Sequence, residues 1–144
     1  MRSNLPSILL VDDDPDAVFL TSRLLTKAGI SNPVVVVNDG EEAISYLSRI
    51  QNAAPRTLPA LVLLDIKMPM LDGFKVLRWI KKERNLPTVR VVILTTSADH
   101  GDQQRAENLG ADAYIVKYPS PGAMSQVIRA TLAAPPKVAA QNRI

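Results

Sequence analysis

The chain has 144 residues, 47% of them hydrophobic and 22% charged, and no cysteine. Those proportions describe one globular domain that buries roughly two-thirds of its unfolded surface without a staple. They exclude disulfides, thiolate zinc sites and thiol catalysis, whereas 17 basic against 14 acidic residues, net +3, leave a nucleic-acid partner open.

Residues 7–11, Ser7 followed by four apolar residues, have the pattern of a strand buried on both faces. Four of the 14 acids then fall within five positions: Asp12, Asp13, Asp14 and Asp16. Residues 15–28 read as a helix. Ala17, Val18, Leu20, Thr21, Leu24, Leu25 and Ala28 share one face, and Asp16, Phe19 and Arg23 share the other. Val34–Val37 is a second strand, residues 41–50 a helix, and residues 51–59, with two prolines, a surface loop. A third strand covers 60–64, a helix 73–84 and a fourth strand 89–94. A helix over 102–109 stops at Gly110. Ala113–Val116 is the fifth strand and Pro121–Ala133 the last helix. Residues 1–134 thus form the domain; 135–144 are a flexible tail, fraying from Lys137.

Strict strand–helix alternation predicts an α/β fold: a five-stranded parallel sheet with helices on both faces, in the flavodoxin-like order 2-1-3-4-5. Ligands of such sheets sit outside the carboxyl ends of the strands. Those ends carry Asp12-Asp13, Asp65, Thr95-Thr96 and Lys117. The order brings Asp12, Asp13 and Asp65 to one edge. Three carboxylates there call for a cation, and hard oxygen ligands with open positions suit Mg²⁺, which favours one or two carboxylates plus a phosphate. Lys117 and Thr95 offer a charge and a hydroxyl to that phosphate, and Asp65, ending the central strand, is the favoured phosphoryl acceptor. Asp14, before Pro15, reads instead as an N-cap, and Asp16 as a first-turn acid favoured by the helix dipole.

At this point the residues resemble the response regulator receiver domain of bacterial two-component signalling. The resemblance rests on Ile8-Leu-Leu-Val-Asp-Asp13, Leu63-Leu-Asp-Ile-Lys-Met-Pro69 with Asp72-Gly73, Val92-Ile-Leu-Thr95, and Gly110-Ala111 leading to Tyr114-Ile-Val-Lys117. It covers nearly the whole chain. The resemblance implies that Asp65 is the phosphoacceptor and that Asp12 and Asp13, with Asp65 and the Lys67 backbone carbonyl, hold Mg²⁺. Thr95 and Lys117 would hold phosphoryl oxygens, and Tyr114 would be the switch aromatic. Side chains at Lys67 and Ser97 would tune the lifetime of the phosphoryl group. The implied donor is a phosphohistidine on a sensor histidine kinase or a histidine phosphotransfer protein. One departure is Lys117-Tyr118-Pro119, where the family usually has proline directly after the lysine. The long 51–59 loop and Leu94-Thr95-Thr96-Ser97 are similar to single-domain receivers paired with phytochrome-type kinases.

Several residues have plainer readings. Lys75, Arg78, Lys81, Lys82, Arg84 and Arg90 fall within sixteen positions, but they suit a solvated third helix better than a nucleic-acid face. Phe19, off the core stripe, is a candidate docking residue for the kinase or a second subunit. Trp79 suits part-buried core and His100 a solvated loop. No apolar run approaches the ~20 residues of a membrane helix, and the four-residue run near the N-terminus is too short for a secretory signal. The expectation is a stand-alone cytoplasmic phosphorylation switch without enzymatic turnover, acting on other proteins with neither nucleic acid nor membrane as a partner, and open to homodimerisation. Three rivals stand beside it. A nucleotide-binding flavodoxin-like module would want Gly-x-Gly-x-x-Gly or a Walker-type lysine motif, and neither appears in the sequence. An aspartate-nucleophile phosphatase usually wants a second acid two residues after the nucleophile, where this chain has Lys67. A degenerate receiver acting through contact alone fits poorly with all five site positions filled.

Overall fold

The computed structural model describes residues 5–68 and 72–139. Within them, β1 (Ile8–Val11), β2 (Val34–Val37), β3 (Leu61–Leu64), β4 (Arg90–Thr95) and β5 (Ala113–Val116) form one parallel sheet in the order β2-β1-β3-β4-β5. The helices are α1 (Pro15–Lys27), α2 (Gly40–Ala53), α3 (Gly73–Arg78), α4 (His100–Asn108) and α5 (Pro121–Ala133). This is the flavodoxin-like arrangement that the alternation predicts.

Side chains alternate across a strand, so each strand feeds two cores. Ile8, Leu10, Leu61, Leu63, Val92, Leu94 and Ile115 pack against Leu24 and Leu25 of α1 and Met124 and Ile128 of α5. Leu9, Val11, Val62, Leu64, Val91 and Ile93 pack against Ala43 and Leu47 of α2, Val76 and Leu77 of α3, and Ala106 of α4. Burial on both faces is why β1 and β3 read as unbroken apolar runs.

Each helix begins on the site edge of the sheet with a side-chain cap. Asp14, Asp39, Asp72, Asp99 and Ser120 accept from the N–H of Asp16, Glu42, Lys75, Asp102 and Ala123. Such caps satisfy amides that the first turn leaves unpaired. Capping therefore accounts for Asp14, as its position before Pro15 implies.

Three expectations are corrected. Residues 51–59 are not a plain loop: α2 runs on to Ala53, and a 3-10 turn covers Pro55–Thr57. Proline ends the helix because it lacks an N–H and clashes with the preceding turn. The third helix gives way to a π-helical turn over Trp79–Glu83. There Lys81 is buried, at 6% exposure, instead of solvated, because Asp112 supplies a counterion at 2.9 Å. Leu20 is exposed rather than core, since Ala17, Thr21, Leu24 and Leu25 already fill the buried face of α1. At the head of the predicted tail, the Lys137 N–H donates to Asp112 and its carbonyl accepts from Lys81; residues 140–144 of that tail lie outside the described residues. Gly110, at φ +94°, lets residues 137–139 lie close: a Cβ there would sit 2.8 Å from the backbone N of Ala139. Pro69 lies outside the described residues.

Candidate functional site

Register assembles the site. Val11 of β1 is level with Leu64 of β3, so the next residues, Asp12 and Asp65, leave the sheet side by side. Leu64 is level with Ile93, which puts Leu94 level with Asp65 and Thr95 one step beyond. Thr95 is level with Val116, so Lys117 emerges next to it. Backbone bonds hold the exits: the Asp12 N–H donates to Val37, Asp65 to Val11 and Lys117 to Thr95.

The start of α3 presses on the same place. A Cβ on Gly73 would lie 2.3 Å from the Asp65 carbonyl oxygen and 2.6 Å from the Ile66 Cα. Only glycine permits that approach, which explains an Asp-Gly pair at the mouth of α3.

Carboxylate oxygens of Asp12, Asp13 and Asp65 lie within 4.8 Å of one another. Asp12 and Asp65 are buried, and Asp13 is exposed. The Lys117 ammonium stands between the buried pair, 2.7 Å from Asp12 Oδ2 and 3.3 Å from Asp65 Oδ2. Asp12 Oδ1 accepts the Asp14 N–H, and Asp65 Oδ1 accepts the Lys67 N–H. Burial opposes the Lys117 charge, but its hydrogen bond to Asp12 and the field of Asp65 outweigh that and hold its pKa above the ordinary lysine value. One ammonium against three carboxylates leaves two formal negative charges uncompensated. That excess and the exposed oxygens of Asp13 fit a divalent cation with open positions.

Around this centre lies a second set of groups. The Thr95 hydroxyl accepts the Ser97 N–H at 3.4 Å. Tyr114 is half-buried, and its hydroxyl donates to the Ser97 carbonyl at 2.9 Å. Burial pushes the Tyr114 phenol up. The Lys67 ammonium points outward to Asp102, 3.1 Å away. The hydrogen bond from Ser97, with the Lys67 ammonium beside it, holds the Asp102 carboxyl below the usual carboxylate range. Asp102 escapes sequence reasoning: nothing in the spacing joins it to Lys67, 35 positions earlier. The Asp-x-x-Asp of Asp99 and Asp102 signals only a helix start.

Phe19 is 62% exposed on α1. Trp79 is buried and His100 is exposed. The Lys117–Tyr118 peptide is cis.

Residues 8–129 match the family described as the response regulator receiver domain. The chain belongs to that family. A probable methanogenesis regulatory protein of Methanothrix harundinacea is 36% identical over 110 residues, 76% of this chain and 70% of the relative. The chain spans about half the length of several further curated relatives. Among solved structures, the bacteriophytochrome response regulator AtBRR is similar at a TM-score of 0.76 and 36% identity, covering 98% of this chain and all of the other. The bacteriophytochrome response regulator RtBRR is similar at 0.77 and 35%, covering 96% and 83%. Receiver domains are phosphoacceptor switches that interact with histidine kinases and phosphotransfer proteins, and they generally bind Mg²⁺ at an acidic pocket. No helix among the described residues is long and apolar enough to cross a membrane.

Proposed function

We propose that this receiver domain accepts a phosphoryl group in a two-component phosphorelay, with Asp65 as its phosphoacceptor. The observation that carries this reading is the seat of Asp65: buried, beside Asp12 and Asp13, with one oxygen 3.3 Å from the Lys117 ammonium. The donor is a phosphohistidine on a sensor histidine kinase or phosphotransfer protein. Its P–N bond breaks as the bond between phosphorus and an Asp65 oxygen forms, and the departing imidazole keeps the electron pair. Such transfers need little covalent work from a protein beyond positioning and charge neutralisation.

The residues divide that task. Asp65 is the nucleophile, held by the Lys67 N–H and Lys117. Lys117 and the Thr95 hydroxyl are the donors for phosphoryl oxygens. Asp12, Asp13, Asp65 and the Lys67 backbone carbonyl would hold Mg²⁺, which when bound supplies further charge neutralisation. Tyr114 is the switch aromatic, tied to the loop after Thr95 by its bond to Ser97. Movement of Thr95 toward the phosphoryl group alters that loop and the surface it offers to other proteins. Phe19 is the proposed docking aromatic for the kinase or for a second copy of the chain. The two bacteriophytochrome response regulators support a phytochrome-type kinase as the partner. The setting is cytoplasmic, and neither nucleic acid nor a membrane is a partner. A phosphatase acting on external substrates is disfavoured because position 67, where a second acid is wanted, holds a lysine paired with Asp102.

Incubation with Mg²⁺ and acetyl phosphate is expected to label the protein once, and Asp65→Asn is expected to abolish the label. Labelling that persists in the variant, or never occurs in the wild type, overturns the reading.

A further inference from the structure

Asp102 lies in the first turn of α4. An acid there has a plain use, since it faces the positive end of the helix dipole. That use does not explain its donors. A single oxygen, Oδ2, accepts the Ser97 hydroxyl at 2.6 Å and lies 3.1 Å from the Lys67 ammonium. The two donors come from different loops. Lys67 stands two residues after Asp65, and Ser97 two residues after Thr95. The carboxylate is also seated from below: the Asp102 N–H donates to Asp99 Oδ1, and the Asp99 N–H donates to Ser97 Oγ. Through the Ser97 carbonyl the same network reaches the Tyr114 hydroxyl. One carboxylate oxygen therefore ties the loop that follows Asp65 to the loop that follows Thr95.

We propose that Asp102 is a positioning residue for loss of the phosphoryl group: it fastens Lys67 and Ser97 to each other across the site and so restricts the approach of water to phosphorylated Asp65. The proposal rests on the reading of Asp65 as phosphoacceptor. In the step concerned, a water oxygen bonds to phosphorus as the bond from phosphorus to the Asp65 oxygen breaks. The acyl phosphate dianion and water become the Asp65 carboxylate and dihydrogen phosphate, so both water protons end on the phosphate. The attacking oxygen enters in line with the departing Asp65 oxygen. Asp65 itself is only 8% exposed, so water reaches it from the solvent side of these two loops. Side chains that are pinned there hold that approach narrow; side chains that are released open it.

The experiment follows decay of the acyl phosphate after labelling with acetyl phosphate and Mg²⁺ and removal of the donor. Wild type, Asp102→Asn, Lys67→Met, the double variant and Asp102→Glu are compared. Asp102→Asn and Lys67→Met are each expected to speed decay about threefold, the scale of a partly exposed ion pair. The double variant is expected to decay no faster than either single one, because both break the same contact. Asp102→Glu keeps the charge and restores most of the slow decay. A role confined to the helix dipole would lower stability without coupling the two positions, so multiplying effects overturn the proposal, as does wild-type decay in Asp102→Asn. Lys67→Met alters an exposed side chain and folds whatever becomes of α4, and unchanged decay in it overturns the proposal on its own. Absence of any wild-type label overturns the phosphoacceptor reading together with this one; a normal label with unaltered decay overturns this one alone.

Discussion

A lysine is buried at each end of the same sheet, and the two are compensated differently. At the amino ends of β4 and β5, Lys81 meets one carboxylate, Asp112 at 2.9 Å, and two backbone carbonyls, Val89 at 3.2 Å and Lys137 at 3.0 Å. Asp112 in turn accepts the N–H groups of Val91 and Lys137, each at 2.7 Å. Charge and hydrogen-bonding capacity close there. At the carboxyl ends, Lys117 faces Asp12 and Asp65, with Asp13 beside them, and among the described residues two of the three negative charges are left without a counterion. Folding alone selects for closure, since an unpaired buried charge costs stability. A charge left over in a preorganised cluster marks a place kept ready for something else.

The sharpest way to break this comparison is to open the closed end. Lys81→Met leaves Asp112 buried without its counterion, and loss of one partner of such a pair is expected to cost about 3 kcal/mol. The denaturant midpoint should fall with its slope unchanged. The folded fraction should still take its label from acetyl phosphate at the wild-type rate. A variant with normal stability and impaired labelling would erase the distinction between the two lysines.

The open end responds to an ion rather than to a deletion. Mg²⁺ at a hundredfold excess over its dissociation constant should stabilise the protein by about 2.7 kcal/mol. Thermal melts with and without the ion, reversed by a chelator, measure this. Asp13→Asn should shrink the effect, because Asp13 brings the exposed oxygens. A full Mg²⁺ shift in Asp13→Asn would move the excess charge away from where the geometry has it.

The two ends also differed in how far they could be read beforehand. Alternation and the runs of β1 and β3 specify the sheet, and its order then brings Asp12, Asp13, Asp65, Thr95 and Lys117 together without any contact being known. Each of these sits at a strand end, where topology alone sets position. Lys81 was hidden by its company: five other basic residues within sixteen positions made a solvated helix the simpler reading. Its burial depends on Asp112, thirty-one positions later, and on the π-helical turn that carries it. Asp102 was hidden for the same reason, since its partners belong to two loops brought together only by the sheet. Leu20 shows the opposite error, an apolar residue assigned to a face already filled by Ala17, Thr21, Leu24 and Leu25.

The smallest expected effect separates two neighbours in the acidic run itself. Asp14 Oδ1 accepts the Asp16 N–H at 3.0 Å, so its carboxylate is spent on the first turn of α1. Asp13, one residue earlier, joins the cluster of Asp12 and Asp65. Removing the cap with Asp14→Ala should cost about 1 kcal/mol and leave the Mg²⁺ shift near its wild-type size. Asp13→Ala should do the reverse: little loss without the ion, since an exposed carboxylate among other acids is relieved of repulsion, and a much smaller gain when the ion is added. Denaturant melts of the two variants, each with and without Mg²⁺, read both signatures. If Asp14→Ala weakens the ion's effect as much as Asp13→Ala does, then the density of negative charge, and not the placement of particular oxygens, is what holds the cation.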